Sequence, residues 1–284
     1  MRSILQGVLC FLCVSMSDTM SAQADINDYM NAQVTGTKIF MEYDHQKMLD
    51  EIDALTTQLA TASSDACSNL ATVTYDGYTY DLVAIGDQCW FAENLRNEYY
   101  ANGDAIPGEL SDGEWSSTTN GAMTVYGEGP SSVMSGSDDE VSNLADYGRL
   151  YNWYATVDMR GLCPSGWHVP QDSELRTLEM ELGMSESDAN GTGYRGTDQG
   201  TQMKSSASDL PAWNGTNTSG FSGLAGGFRS YGGDFSLEGN YGCFWSASAY
   251  GSSAWYRILN GGSTEVDRHN LIQRNGFSVR CVRD

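Results

Sequence analysis

The stretch from Phe244 to Asp284 constrains the fold more than any other. Two short apolar brackets, Phe244-Trp245 and Phe277-Ser278-Val279, enclose a segment crowded with Tyr, Ser, Asn, Arg, Asp and His. Within it Ala254 to Leu259 reads as one short strand and Glu265 to Arg268 as a second, with Asn260-Gly261-Gly262-Ser263 as the turn. Phe277 to Val282 alternates, with Phe277, Val279 and Cys281 on one face and Ser278, Arg280 and Val282 on the other. The pattern describes a rigid sheet carrying a polar, aromatic display. Tyr and Trp give contact area at low entropy cost, and Ser, Asn and Gly adapt their hydrogen bonding. An ordinary exposed hairpin with half-buried Tyr has the same composition, and composition does not separate the two.

A chain of 284 residues holds one large domain or two small ones. Its net charge of −22 argues against nucleic acid and anionic membrane surfaces, which need positive charge on their partner. The acidity fits a soluble extracellular protein, and solubility alone accounts for it. Arg2, the apolar run Ile4 to Met16 and Met20-Ser21-Ala22 have the layout of a signal peptide, so residues 1–22 are expected to be removed on export. The run is too short to span a membrane. Cys67, Cys89, Cys163, Cys243 and Cys281 follow it. Export makes disulfides the default, and the odd number leaves one thiol free or paired between chains. No CxxC pair is present, so no zinc site is expected.

Residues 23–66 form an N-terminal segment. From Lys38 the apolar positions Met41, Met48, Ile52, Leu55, Leu59 and Ala62 follow a helical, heptad-like course, with His45 also in the seam. This amphipathic helix over 38–62 is read either as a self-associating stalk or as a helix packed on its own domain. The globular part, 67–284, opens with a hairpin, Thr72 to Tyr75 and Tyr78 to Ile85, because Asp76-Gly77 supplies a primed turn. Cys67 and Cys89 flank that meander and are taken as a disulfide pair. Asn102 to Gly136 is loop-like and rich in Gly, Ser and Thr. Ser135 to Glu140 is acidic, which raises calcium as a ligand, but no spaced ligand pattern accompanies it and a solvated loop is preferred. Tyr147 to Ala155 is read as the start of a core helix. Leu175, Leu178 and Leu182 share a helical face, with Asp172 or Ser173 as N-cap and Gly183 as C-cap. Residues 184–220 read as loop, and 221–228, 231–235 and 241–245 as short strands.

A search for catalytic chemistry returns little. Gly191-Thr192-Gly193-Tyr194-Arg195-Gly196 matches the dinucleotide glycine pattern but belongs to no βαβ unit, so it is treated as accidental. His45, His168 and His269 are too scattered for a metal cluster, and His168 is read as structural. Neither a Walker motif nor a nucleophile elbow is present. The sequons at Asn190, Asn214 and Asn217 are read as turns.

Six motifs together resemble one family. They are Tyr-Asp-Gly-Tyr-Thr-Tyr (75–80), Ile-Gly-Asp-Gln-Cys-Trp-Phe-Ala-Glu-Asn-Leu-Arg (85–96), Tyr-Gly-Arg-Leu-Tyr-Asn-Trp-Tyr-Ala (147–155), Cys-Pro-Ser-Gly-Trp-His-Val-Pro (163–170), Phe-Trp-Ser-Ala-Ser (244–248) and Gly-Phe-Ser-Val-Arg-Cys-Val-Arg (276–283). The chain from 67 to 284 is similar to the Fibrobacter succinogenes major paralogous domain, found in exported bacterial proteins. More distantly it is similar to the formylglycine-generating-enzyme and C-type-lectin-like superfamily. That resemblance implies an α+β fold with small twisted antiparallel sheets, two helices, long loops and neighbouring chain ends. It also implies that Cys163 bonds Cys281, leaving Cys243 over. The reactive cysteine arrangement of the enzyme branch does not map onto this chain. Trp213-Asn214-Gly215 departs from the Trp-Asn-Asp of the lectin branch, against calcium-dependent sugar binding.

These readings converge on a secreted or surface-displayed, non-enzymatic binding module without cofactor or metal. Its expected ligand is an extracellular protein or glycan, and the expected contact residues are Tyr250, Trp255, Tyr256, Asn260, Asp267, His269, Asn270 and Gln273. The alternative is a fibre or appendage subunit that assembles through residues 38–62. An enzyme related to the formylglycine-generating group is the third reading.

Overall fold

The computed structural model describes residues 66–129 and 139–284, together with Ile52. The chain divides into two compact units, Met1–Thr56 and Thr57–Asp284. Of the first, Ile52 alone is described, as helical and exposed. The signal segment, the remainder of the 38–62 helix and all but the last two residues of the acidic run 135–140 lie outside the described residues.

The second unit is mixed α+β, dominated by sheet. Strands β1 (Thr72–Tyr75), β2 (Tyr78–Ile85) and β3 (Gln88–Phe91) form the expected meander. Asp76 and Gly77 take φ of +47° and +75°, the two positive values that a primed hairpin turn demands. The stretch expected as loop next contains a helix, α1 (Asp112–Ser117), and strand β4 (Met123–Thr124). Ser111 and Glu114 cap α1 reciprocally, the Ser111 amide donating to Glu114 Oε2 at 2.9 Å. Trp115 and Tyr126, the aromatics of that stretch, are buried.

The aromatic run expected as a core helix folds otherwise. Helix α2 (Glu140–Tyr147) ends before it at Gly148 (φ +75°), where an added Cβ would meet the Leu95 carbonyl oxygen at 2.8 Å. Then come strand β5 (Leu150–Asn152) and one helical turn, α3 (Trp153–Thr156). Asn152 forces the change of direction: its Oδ1 accepts from the amides of Ala122 at 3.0 Å and Ala155 at 3.1 Å.

Strand β6 (Trp167–His168) leads to α4 (Asp172–Glu181), the longest described helix. Leu175 and Leu178 are buried on the expected face and Leu182 is half-buried. The cap differs from expectation. Gln171 starts the helix, its amide donating to Glu174 Oε2 at 2.7 Å, because the Asp172 side chain is turned inward. The region read as loop after it holds α5 (Glu186–Ala189), β7 (Gly193–Arg195) and α6 (Gln199–Met203). The remaining strands are β8 (Gly226–Arg229), β9 (Phe235–Glu238), β10 (Tyr241–Tyr250), β11 (Ser253–Asn260), β12 (Val266–Ile272), β13 (Gly276–Phe277) and β14 (Val282–Arg283). Residues 277–282 are therefore not one alternating strand. Both of its expected faces are buried, since the segment threads between two sheets.

One sheet has the order β1-β2-β3-β14-β6, and the other β4-β5-β13-β8-β10-β11-β12-β7 with β9 beside β8. The main core lies where the recurrent motifs meet. The Trp245 ring is 4.3 Å from Phe277, and Phe277 is 4.8 Å from Tyr256. Trp245 Nε1 donates to the Tyr151 carbonyl at 2.9 Å, and Trp153 Nε1 to the Ser246 carbonyl at 3.0 Å. These two indoles are thus buried with their N–H groups satisfied. Arg280, also buried, donates to Asn94 Oδ1 at 2.8 Å and to the carbonyls of Phe91, Phe221 and Ser222. Disulfides join Cys67 to Cys89 and Cys163 to Cys281, and Cys243 is a buried free thiol.

His168 closes the first sheet. Its Nδ1 lies 2.6 Å from Asp284 Oδ1, and its Nε2 lies 2.9 and 3.0 Å from the Glu174 carboxylate. The bond to Glu174, helped by Asp284 and opposed by partial burial, raises the imidazole from 6.5 to about 9. A base whose folded value is raised stabilises the fold fully below its unfolded value and loses that contribution as pH rises through the folded one. The melting-point gap between wild type and His168→Gln should therefore be full near pH 6 and close by about pH 10. A gap that does not change across that range would contradict an ionic clamp.

Candidate functional site

Strands β10, β11, β12 and β7 make a continuous platform with two unlike faces. Register pairs Trp245 with Tyr256 and Tyr256 with His269, and it pairs Ile258 with Asp267 and Asp267 with Tyr194. Alternation then sends Tyr194, Tyr256, Ile258, Asp267 and His269 to one side, and Arg195, Arg257 and Arg268 to the other.

The arginine side faces α4. Asp172 and Glu179 lie two turns apart on that helix, hence on one stripe. Arg257 donates to Asp172 Oδ1 at 2.8 Å and to Glu179 Oε1 at 2.5 Å. Arg268 grips both oxygens of Asp172 at 2.9 and 2.7 Å, and Arg195 grips both oxygens of Glu179 at 3.0 and 2.8 Å. All five side chains are buried. Desolvation pushes the Asp172 carboxyl up, but Arg268 and Arg257 outweigh it and hold the group at about 2. The network rivets α4 to the sheet, so the platform is stiff where it carries its display.

The eight side chains expected at a contact surface divide among several environments. Tyr250 is 55% exposed, and Trp255 is half-buried with its ring 5.0 Å from that of Tyr250. The Arg268 guanidinium stacks on Trp255 at 3.8 Å, so this strand Trp is held by a cation and not by the core. His269 is exposed and Asn270 half-exposed. Asn260 donates to the Tyr194 hydroxyl at 2.7 Å, and Gln273 to the Ser253 carbonyl at 3.2 Å. Tyr256 and Asp267 correct the expectation of a displayed pair, being only 7% and 9% exposed. Tyr256 is drawn inward by Trp245 and Phe277.

The sequence reading overlooked Tyr194, which is 43% exposed on β7. It lies inside the glycine pattern dismissed as accidental, and that pattern now has a role: it makes the edge strand of the platform. The spacing of Asp172 and Glu179 along one helical stripe was the available signal for the ionic network.

Two other places offer less. An open hollow of about 450 Å³ is lined by Glu98, Glu109, Glu128 and Glu140. Three of these are already engaged: Glu98 by Arg149, Glu128 by Thr124 and Val125, and Glu140 by the Gly129 amide. The thiol of Cys243 is pushed well above its ordinary value by burial and then by Asp267, so it keeps its proton. Among the described residues, no cluster of His, Cys, Asp and Glu is arranged to hold a metal ion.

No curated protein and no solved structure matches the chain. The family model of the Fibrobacter succinogenes major domain matches residues 83–283, more than half of the chain. That span holds the Ile-Gly-Asp-Gln-Cys-Trp-Phe turn, the Trp153 and Trp245 core and both arms of the platform. The chain belongs to the Fibrobacter succinogenes major domain family.

Proposed function

We propose that the 67–284 unit is a non-enzymatic extracellular module that recognises a protein or glycan through its β10–β12 platform. One observation carries this reading. Tyr250, Trp255, His269 and Asn270 are held at least partly in solvent, His269 on one face and the other three on the arginine face beyond the reach of α4, on strands that five buried charges lock to that helix. Rigid presentation of rings and amides lowers the entropy cost of binding. The disulfides suit an oxidising compartment, and among the described residues no helix is long and apolar enough to cross a membrane. A protonated, buried Cys243 does not favour thiol chemistry. We read the fold itself as C-type-lectin-like, supported by the way the opening hairpin and β14 share one sheet.

The test is capture on arrays of glycans and extracellular proteins by the full chain and by Tyr250→Ala/His269→Ala. Tyr256 is left intact because its truncation would open a core cavity. The double variant should lose roughly tenfold or more in affinity with an unchanged melting point. Undiminished capture would remove the platform tip from the site. Sedimentation at high concentration covers the fibre alternative, for which open-ended assembly is the signature.

A further inference from the structure

Asp267 is the one buried carboxylate of the platform that no arginine answers. It is 9% exposed, its Oδ1 is shielded from solvent, and that oxygen has no hydrogen-bond partner. Burial raises its carboxyl above the usual range. His269 on the same face, and then Arg195 and Arg257, act on it only through space; the two arginines project to the opposite face and are committed to Glu179 and Asp172. A desolvated carboxylate without a donor destabilises a fold and is rarely left so without a use.

Its surroundings define that use. Asp267 lies in a row between Ile258 and Tyr194, with His269 two residues along the same face and Tyr256 paired to His269. The Tyr194 ring is pinned by the Asn260 amide at its hydroxyl. The Asp267 charge reaches the Tyr194 and Tyr256 phenols, both of which are raised, mainly by burial. A carboxylate with an aromatic wall is complementary to an organic cation. One shielded oxygen disfavours a guanidinium, which seeks both oxygens of a carboxylate, and favours the compact ammonium. A divalent metal would need further oxygen ligands, and a sugar hydroxyl would leave the charge uncompensated. The net charge of −22 draws basic partners towards the molecule.

We propose that Asp267 anchors a site for the ammonium of a lysine side chain on a partner protein, received between its carboxylate and the exposed ring of Tyr194. This deepens the recognition reading of the platform and rests on it.

The experiment uses the full chain, Asp267→Asn, and amide NMR during titration with Nα-acetyl-lysine methylamide. Its norleucine counterpart and methyl glycosides serve as controls. Saturable shifts at Tyr194, Asp267 and His269 with the lysine compound alone, weakened roughly tenfold or more in Asp267→Asn, are expected. Asp267→Asn should also melt no lower than wild type, since it removes an unanswered charge. Equal lysine binding by the variant, shifts caused by the glycosides instead, or a lower melting point would each overturn the proposal. Lysine silence combined with array capture that depends on Tyr250 and His269 would sink this site and leave the recognition reading standing. Lysine binding with empty arrays would do the reverse.

Discussion

Glu179→Ala should cost about 3–5 kcal/mol and lower the urea midpoint more than any surface change. The reason lies in what is left behind. Glu179 is buried and accepts from both Arg195 and Arg257. Without it Arg195 has no counter-ion, and Arg257 keeps only Asp172. Their positive charge would sit in a desolvated layer between α4 and the sheet. Adding Arg195→Ala to Glu179→Ala should therefore cost less than the sum of the two single changes, by about 1–3 kcal/mol of coupling. Simple additivity in equilibrium denaturation would show that the pair does not act as a unit.

The second large effect concerns the covalent frame. Cys163 and Cys281 lie 118 residues apart in sequence, and Cys67 and Cys89 lie 22 apart. In the chain-entropy view, opening the long loop removes about 4–5 kcal/mol and opening the short one about 3 kcal/mol. Cys163→Ala/Cys281→Ala should accordingly be the more damaging pair, measured by denaturant midpoint against Cys67→Ala/Cys89→Ala. The order matters more than the values. A reversed order would mean that local contacts around β3 outweigh loop closure.

Legibility in the sequence followed the range of the interactions. The β1–β2 hairpin was readable because Asp76-Gly77 dictates its turn locally, and the apolar stripe of α4 because its period is local too. The 147–155 run misled because Asn152 takes its hydrogen bonds from Ala122 and Ala155, and only the former, distant contact breaks the helix that the aromatics would otherwise join. Residues 277–282 misled because strand alternation assumes a solvent side, whereas this segment has protein on both. At the site, Tyr250 and His269 follow the expectation of exposed residues on a polar hairpin. Tyr256 does not, since its fate depends on Phe277 and Trp245 across the sheet. The link between Asp172 and Arg268 joins a helix to a strand far along the chain; the Asp172 and Glu179 stripe marks its helical side, but no local pattern names the strand partner.

β14 enters the first sheet between β3 and β6. During synthesis the meander must therefore wait with one side of β3 unpaired until residues 282–283 emerge from the ribosome. Such a delayed, long-distance zipper makes for slow maturation, and it leaves an open strand edge available to neighbouring nascent chains in the interval.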